Sequence, residues 1–134
     1  MTEQELLQQP ADAYMNDTQL AFFRDLLNAQ RQELQDRIAG EFEGLREREP
    51  SSDPADIGSA EEQHQWQLRL LEREKKLLDK IDEALQRIAR NDYGWCEETG
   101  EPIGLKRLLL RPTTTLSIEA KELQEQKEKH LRNS

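Results

Sequence analysis

Apolar residues in the first half of the chain recur at mixed three- and four-residue steps: Leu20, Phe23, Leu27, Leu34, Ile38, Phe42 and Leu45. Such steps return to one side of a helix. Just before them, Asn16-Asp17-Thr18 supplies side chains suited to an N-cap. The pattern predicts a helix of roughly 30 residues, about 45 Å long. It should stop at Glu49-Pro50, because proline lacks an amide hydrogen and turns its predecessor away from helical geometry. After Pro50-Ser51-Ser52-Asp53-Pro54 a second periodic stretch places Trp66, Leu70, Leu77, Ile81, Ala84, Leu85 and Ile88 on one face, and it ends near Asn91-Asp92-Tyr93-Gly94.

Two helices of matched length with a short polar connection predict an antiparallel hairpin with facing apolar seams. Both seams turn polar partway along, at Gln30-Arg31 and at Arg73-Glu74. Polar seam positions sacrifice stability and help to fix register. From Tyr93 to Ser117 the glycines and prolines Gly94, Gly100, Pro102, Gly104 and Pro112 predict a loop-rich module packed by Trp95, Ile103, Leu105, Leu108 and Leu110. A short helix is expected from Ser117 to Leu131 with Ile118, Leu123 and Leu131 turned inward, and another over Glu3–Gln9. The expected organisation is an N-terminal segment 1–16 packing on the module, a hairpin 17–92 with its tip near 50–58, a module 93–117 and a C-terminal helix 118–134. The expected fold is mainly α, a long antiparallel coiled-coil hairpin projecting from a small globular module.

Composition fits this picture: of 134 residues, 34% are hydrophobic and 35% charged, which is normal for long helices with a single apolar seam. The net charge of −9 argues against tracking a phosphate backbone, which needs a basic surface to release counterions. Charge is uneven: residues 1–57 carry 5 basic and 13 acidic side chains, whereas residues 58–134 carry 14 and 15. No apolar run approaches the ~18 residues of a membrane span, and there is no basic-then-apolar leader, so a cytoplasmic chain with no membrane association is expected. The lone cysteine, Cys96, cannot form an internal disulfide.

Three constellations carry candidate chemistry. Asp53-Pro54-Ala55-Asp56 sets two carboxylates at the hairpin tip. They suit helix capping, with Pro54 at the first helical position, or with Ser59 and Glu62 as a capping box if the helix starts later. They also suit contact with a basic or metal-bearing site on a partner. On the second helix Arg69, Arg73, Lys76, Lys80 and Arg87 form a basic stripe, either a solvated face or, with Arg111 and Lys121, part of an anion pocket. Cys96-Glu97-Glu98-Thr99 occupies a turn where zinc ribbons carry Cys-x-x-Cys, but the second cysteine is absent. Structural zinc needs four nitrogen or sulfur ligands, so Cys96 reads as a packing residue and no zinc is expected. No nucleophile–base pair or phosphate-binding glycine loop is present, and the chain does not read as an enzyme.

The tip Asp53-Pro54-Ala55-Asp56, the stretch Lys75-Lys76-Leu77, the segment Ile103-Gly104-Leu105-Lys106-Arg107-Leu108 and Arg111-Pro112-Thr113 occur in an order that resembles the DksA family of bacterial regulators, which bind the secondary channel of RNA polymerase. The resemblance runs from Tyr14 to the tail. It implies that Cys96, Thr99, Ser117 and Ala120 stand where the family places four zinc-binding cysteines, which is similar to a zinc-independent paralogue in that family. Packing by Trp95, Ile103, Leu116 and Ile118, with hydroxyl hydrogen bonds from Thr99 or Ser117, would then do the metal's structural work. The tip matches the family pattern at Asp53 and Asp56 and departs from it at Gly58, where the family has alanine. The resemblance further implies a site for the alarmone ppGpp at Arg73, Leu77, Lys80, Arg111 and Lys121. The implied function is regulation of transcription, as a monomer, by changing open-complex stability without reading DNA sequence. The alternative is a generic coiled-coil adaptor or dimerisation module, in which the Asp pair only caps a helix.

Overall fold

Asn16 starts the first long helix as its side chain predicts. Its Oδ1 accepts the amide of Gln19 at 2.9 Å, and Gln19 Oε1 turns back to accept the amide of Met15 at 2.8 Å. This reciprocal pairing satisfies donors that a helix start leaves without partners. The computed structural model describes residues 1–46 and 54–133, the side chains of 54–57 and 133 excepted. Helix α1 spans Glu3–Leu7, a 3-10 turn Ala11–Ala13, α2 Asp17–Arg46, α3 Pro54–Ala89, α4 Leu105–Leu110 and α5 Ile118–Asn133. An isolated antiparallel bridge joins Trp95 and Pro102. The architecture is mainly α, with α2 and α3 as the arms of a long antiparallel hairpin.

The 30 residues of α2 agree with the periodicity, while its expected stop at Glu49-Pro50 lies outside the described residues. Pro54 opens α3, a position where its missing amide hydrogen forfeits no helical bond. Ser59 and Glu62 lie inside that helix, so the later capping box is not used. At the other end Asn91 takes a left-handed φ of 61°, and the amides of Asn91 and Asp92 bond to the carbonyls of Ile88 and Arg87 at 3.1 and 2.8 Å. This is a Schellman stop, with asparagine in the place glycine often fills.

Residues Met1–Leu27 and Glu83–Ser134 form one compact unit, and Asn28–Asp82 a second. In the first, Phe23 and Tyr93 are buried with ring centroids 5.4 Å apart, Leu6, Leu27 and Leu108 are fully buried, and α1 packs on α4. In the second, Leu34, Leu71 and Ile81 are buried, and Arg31 on α2 pairs with Asp82 on α3 at 2.6 Å. The polar break at Gln30-Arg31 is thus a partly exposed cross-arm ion pair, a class of contact that contributes about 1 kcal/mol or less.

Three packing expectations are corrected. Inward positions of α3 include Gln67, Leu71, Glu74, Leu78, Ile81, Leu85 and Ile88, at alternate steps of four and three, with Ala84 fully buried beside Leu85 as expected. Trp66 and Leu77, expected in the seam, are 59% and 44% exposed. Each sits one residue, about 100° of rotation, beside a seam position that is occupied instead by Gln67 or Leu78. On α5, Ile118, Leu123 and Leu131 are exposed and Ala120 is buried. Amphipathic spacing marks a face, but of the described α5 residues Ala120 alone is buried. In the module, Ile103 and Leu108 are buried, Trp95 is partly exposed and Leu110 is 85% exposed. Leu108 and Leu110, two residues apart on a short helix, face opposite ways.

Candidate functional site

The tip acids cannot be placed in full: Asp53 lies outside the described residues, and Asp56 is described only as backbone within α3. Gly58 is exposed and helical, and an added Cβ would meet nothing within 4 Å. On α3, Arg73, Leu77 and Lys80 are exposed at spacings of four and three, which gathers them on one face of the helix in the second unit. Arg111 and Lys121 belong to the first unit. Arg111 is exposed just past α4, and Lys121 is half-buried in the first turn of α5. Arg87, included in the basic stripe, is instead turned to the carbonyl of Thr113 at 3.4 Å, so it ties the end of α3 to the module.

The structure brings the Cys96 group together. The amide of Cys96 donates to the Glu101 carbonyl at 2.8 Å, and the Gly100 amide returns to the Cys96 carbonyl at 2.8 Å, which closes a tight turn around Thr99. Ser117 caps α5: its Oγ accepts the Ala120 amide at 3.2 Å and its carbonyl accepts the Lys121 amide at 3.0 Å. Cys96, Ser117 and Ala120 are all buried. Burial pushes the Cys96 thiol up, but the backbone of Ser117, the hydroxyls of Thr99 and Ser117 and the backbone of Thr99 hydrogen-bond the sulfur and bring it down to about 6.

Several structural residues escaped the sequence reading. Tyr14 donates to the Gly94 carbonyl at 2.5 Å and accepts the Gly104 amide at 2.9 Å, so one phenol pins both glycine turns. Its ring meets Trp95 edge-on at 5.3 Å. Buried Tyr93 donates to the Pro112 carbonyl at 2.7 Å, and burial raises its phenol well above the usual range. Arg107 donates to the Leu116 carbonyl at 2.8 Å. Arg107 stood in a motif of the family resemblance and Tyr14 at its start, but neither was assigned a contact. The partners of Tyr14 lie 80 and 90 residues away, a separation that no periodicity reports.

Residues 19–88 match the family described as DnaK suppressor protein DksA, N-terminal domain. The chain belongs to the DksA family. The RNA polymerase-binding transcription factor DksA of Caulobacter vibrioides is 44% identical over 119 residues, 88% of this chain and 84% of the relative. The protein of the same name from Escherichia coli K12 is 38% identical over 125 residues, 92% of this chain and 83% of the relative. The solved structure of transcription factor DksA2 from Pseudomonas aeruginosa is similar with a TM-score of 0.89 at 73% identity, covering 96% of this chain and 100% of that one. These DksA relatives are named as transcription factors, not as enzymes. Among the described residues no helix is long and apolar enough to cross a membrane.

Residues 91–126 match the prokaryotic dksA/traR C4-type zinc finger. This corrects the expectation of a chain outside zinc chemistry, because the segment matches a family model described as a zinc finger. The donors at Cys96, Thr99, Ser117 and Ala120 are one thiol, two hydroxyls and a methyl group, and among the described residues no group of three or more His, Cys, Asp or Glu stands ready for a metal. That set does not fit the four-sulfur tetrahedron of a C4 site.

Proposed function

We propose that this DksA-family chain regulates transcription by binding RNA polymerase directly rather than by reading DNA. The observation that carries the proposal is its similarity, over most of its length, to polymerase-binding transcription factors, combined with a long helical hairpin. The net charge of −9 supports a protein target over a phosphate backbone. In this reading the hairpin enters the polymerase secondary channel in the cytoplasm, the protein acts as a monomer, and Asp53 and Asp56 work near the catalytic centre. Arg73, Lys80, Arg111 and Lys121 supply cations for the phosphates of ppGpp, and the exposed Leu77 offers an apolar surface beside the base. A factor that binds one promoter-complex state better than another shifts the equilibrium between them and so changes output. Stable-RNA promoters with short-lived open complexes are repressed, and some biosynthetic promoters are activated.

Purified polymerase should retain the protein, and transcription from a stable-RNA promoter should fall further when ppGpp is added. Asp56→Asn should keep polymerase binding while weakening repression, because the tip acid acts after docking. Loss of binding and repression in equal measure would contradict that role, and no retention by polymerase would sink the proposal.

A further inference from the structure

The seam of α3 is flanked by two rows of opposite character, both within the 28–82 unit. On one side Trp66, Leu70, Arg73, Leu77 and Lys80 recur at steps of four and three, about 100° of rotation from the inward row. On the other side, at the same kind of steps, stand Leu68, Glu72, Lys75, Asp79 and Asp82. That second row is acidic, and its Asp82 is tied to Arg31. The first row holds no acid from Trp66 to Lys80, and Arg69 and Lys76 border it on the side away from the seam. Glu62, one turn before Trp66, ends the run.

The first row is also where α3 leaves apolar surface in water. Trp66 is 59% exposed and Leu77 44%, Leu70 is half-buried, and Arg69, Arg73, Lys76 and Lys80 are exposed. Among the described residues none of these four cations pairs with an acid. The hairpin gains little from the exposed indole. Gln67, one residue on, takes the inward place and keeps a buried oxygen without a partner. Tryptophan and arginine are the residues in which binding energy concentrates at protein interfaces. From Trp66 to Lys80 the strip runs about 21 Å, or roughly four turns.

We infer that this strip is a protein-docking surface whose occupant is the wall of RNA polymerase, at a patch that is apolar in the middle and acidic at its edges. The inference rests on the polymerase binding proposed above and assigns its anchor to Trp66 and Leu70. Charge complementarity selects the occupant: a row of four unpaired cations on a chain of net charge −9 attracts carboxylates and orients the hairpin toward them. A nucleic acid fits less well, because the cations are interleaved with apolar side chains and acids line the opposite flank of the same helix. Arg73, Leu77 and Lys80, toward the C-terminal end of the strip, are the residues proposed for ppGpp. Trp66 precedes Arg73 by seven residues, about 10 Å along the axis, so docking and effector sensing are separable.

Competition binding of the full chain to purified polymerase, with and without ppGpp, tests the strip. Trp66→Ala should weaken binding about tenfold or more, by the same factor in both conditions, and Trp66→Phe by less. Leu68→Ala, which removes another exposed apolar side chain on the acidic flank, should change affinity less than about twofold. Lys76→Glu should weaken binding and flatten its salt dependence. The helical signal of each variant should match the wild type, since none of these side chains is buried. With the wild type retained, undiminished binding by Trp66→Ala, an equal loss in Leu68→Ala, or tighter binding by Lys76→Glu overturns the strip alone. A Trp66→Ala loss confined to ppGpp, or a labelled single-stranded oligonucleotide that binds the wild type and not Trp66→Ala, also overturns it. No retention of the wild type overturns the strip together with the polymerase reading.

Discussion

In the unit formed by residues 1–27 and 83–134, fully buried Gln19 uses both ends of its amide, accepting from Met15 and donating to Gln9 at 2.8 Å each, and buried Tyr93 donates to Pro112. In the 28–82 unit, Glu41, Gln67 and Glu74 each keep a buried oxygen without a partner. The glycines differ in the same sense. Gly94, Gly100 and Gly104, in the first unit, all take positive φ, and a Cβ at Gly94 would lie 2.8 Å from Met15, whereas Gly40, Gly44 and Gly58, in the second, take no positive φ and have nothing within 4 Å. The first unit is specified by contacts that permit one arrangement. The second is held by a sparse seam with polar interruptions, which costs local stability.

Substitution at the glycines should break this contrast most sharply. Gly94→Ala combines a disallowed φ with a clash against Met15 and should destabilise the first unit by about 2–4 kcal/mol in chemical denaturation. A loss under about 0.5 kcal/mol would mean that Met15 yields freely. A second effect depends on pH. Because the folded Cys96 thiol lies near 6 and an unperturbed one near 9, folding favours the thiolate. Its stabilisation is fully present above the unfolded value and is lost as pH falls through about 6. Under reducing conditions the wild type should therefore gain stability over Cys96→Ala from pH 6 to 9. A flat difference across that range would count against the hydrogen-bonded thiolate. Smallest of all, Gly58→Ala should raise stability by roughly 0.5–1 kcal/mol, since it restricts the unfolded chain and meets open space. A decrease would show that the start of α3 needs the freedom of glycine.

The hairpin was legible because helices advertise themselves through local repeats: Leu20, Phe23, Leu27 and Leu34 lie in α2 and are buried as their spacing predicts. The α3 seam was legible only to within one residue. Choosing apolar Trp66 over polar Gln67 turns the inferred face by about 100°, and only the opposing helix decides which side is buried. For that reason Glu74 read as a break in the seam when it is part of it. At the candidate site, motif order pointed to Arg73, Leu77 and Lys80, and helical spacing gathers them on one face, but Asp53 and the side chain of Asp56 lie outside the described residues. The zinc-finger framework of residues 91–126 was legible through the resemblance that sets Cys96, Thr99, Ser117 and Ala120 at the family's cysteine positions, whereas the expectation of no zinc weighed ligand identity alone.

Local chemistry was enough to define helix starts and stops, since Asn16, Pro54 and Asn91 act on atoms within a few residues of themselves. The acidic balance and the order of the motifs likewise need no coordinates. Pairings between distant residues do need them: Tyr14 with Gly94 and Gly104, Phe23 with Tyr93, and Cys96 with Ser117. Helical periodicity arises from hydrogen bonds four residues long and is written along the chain. The choice of partner across a fold depends on which surfaces close together, and neither strand of sequence carries that alone.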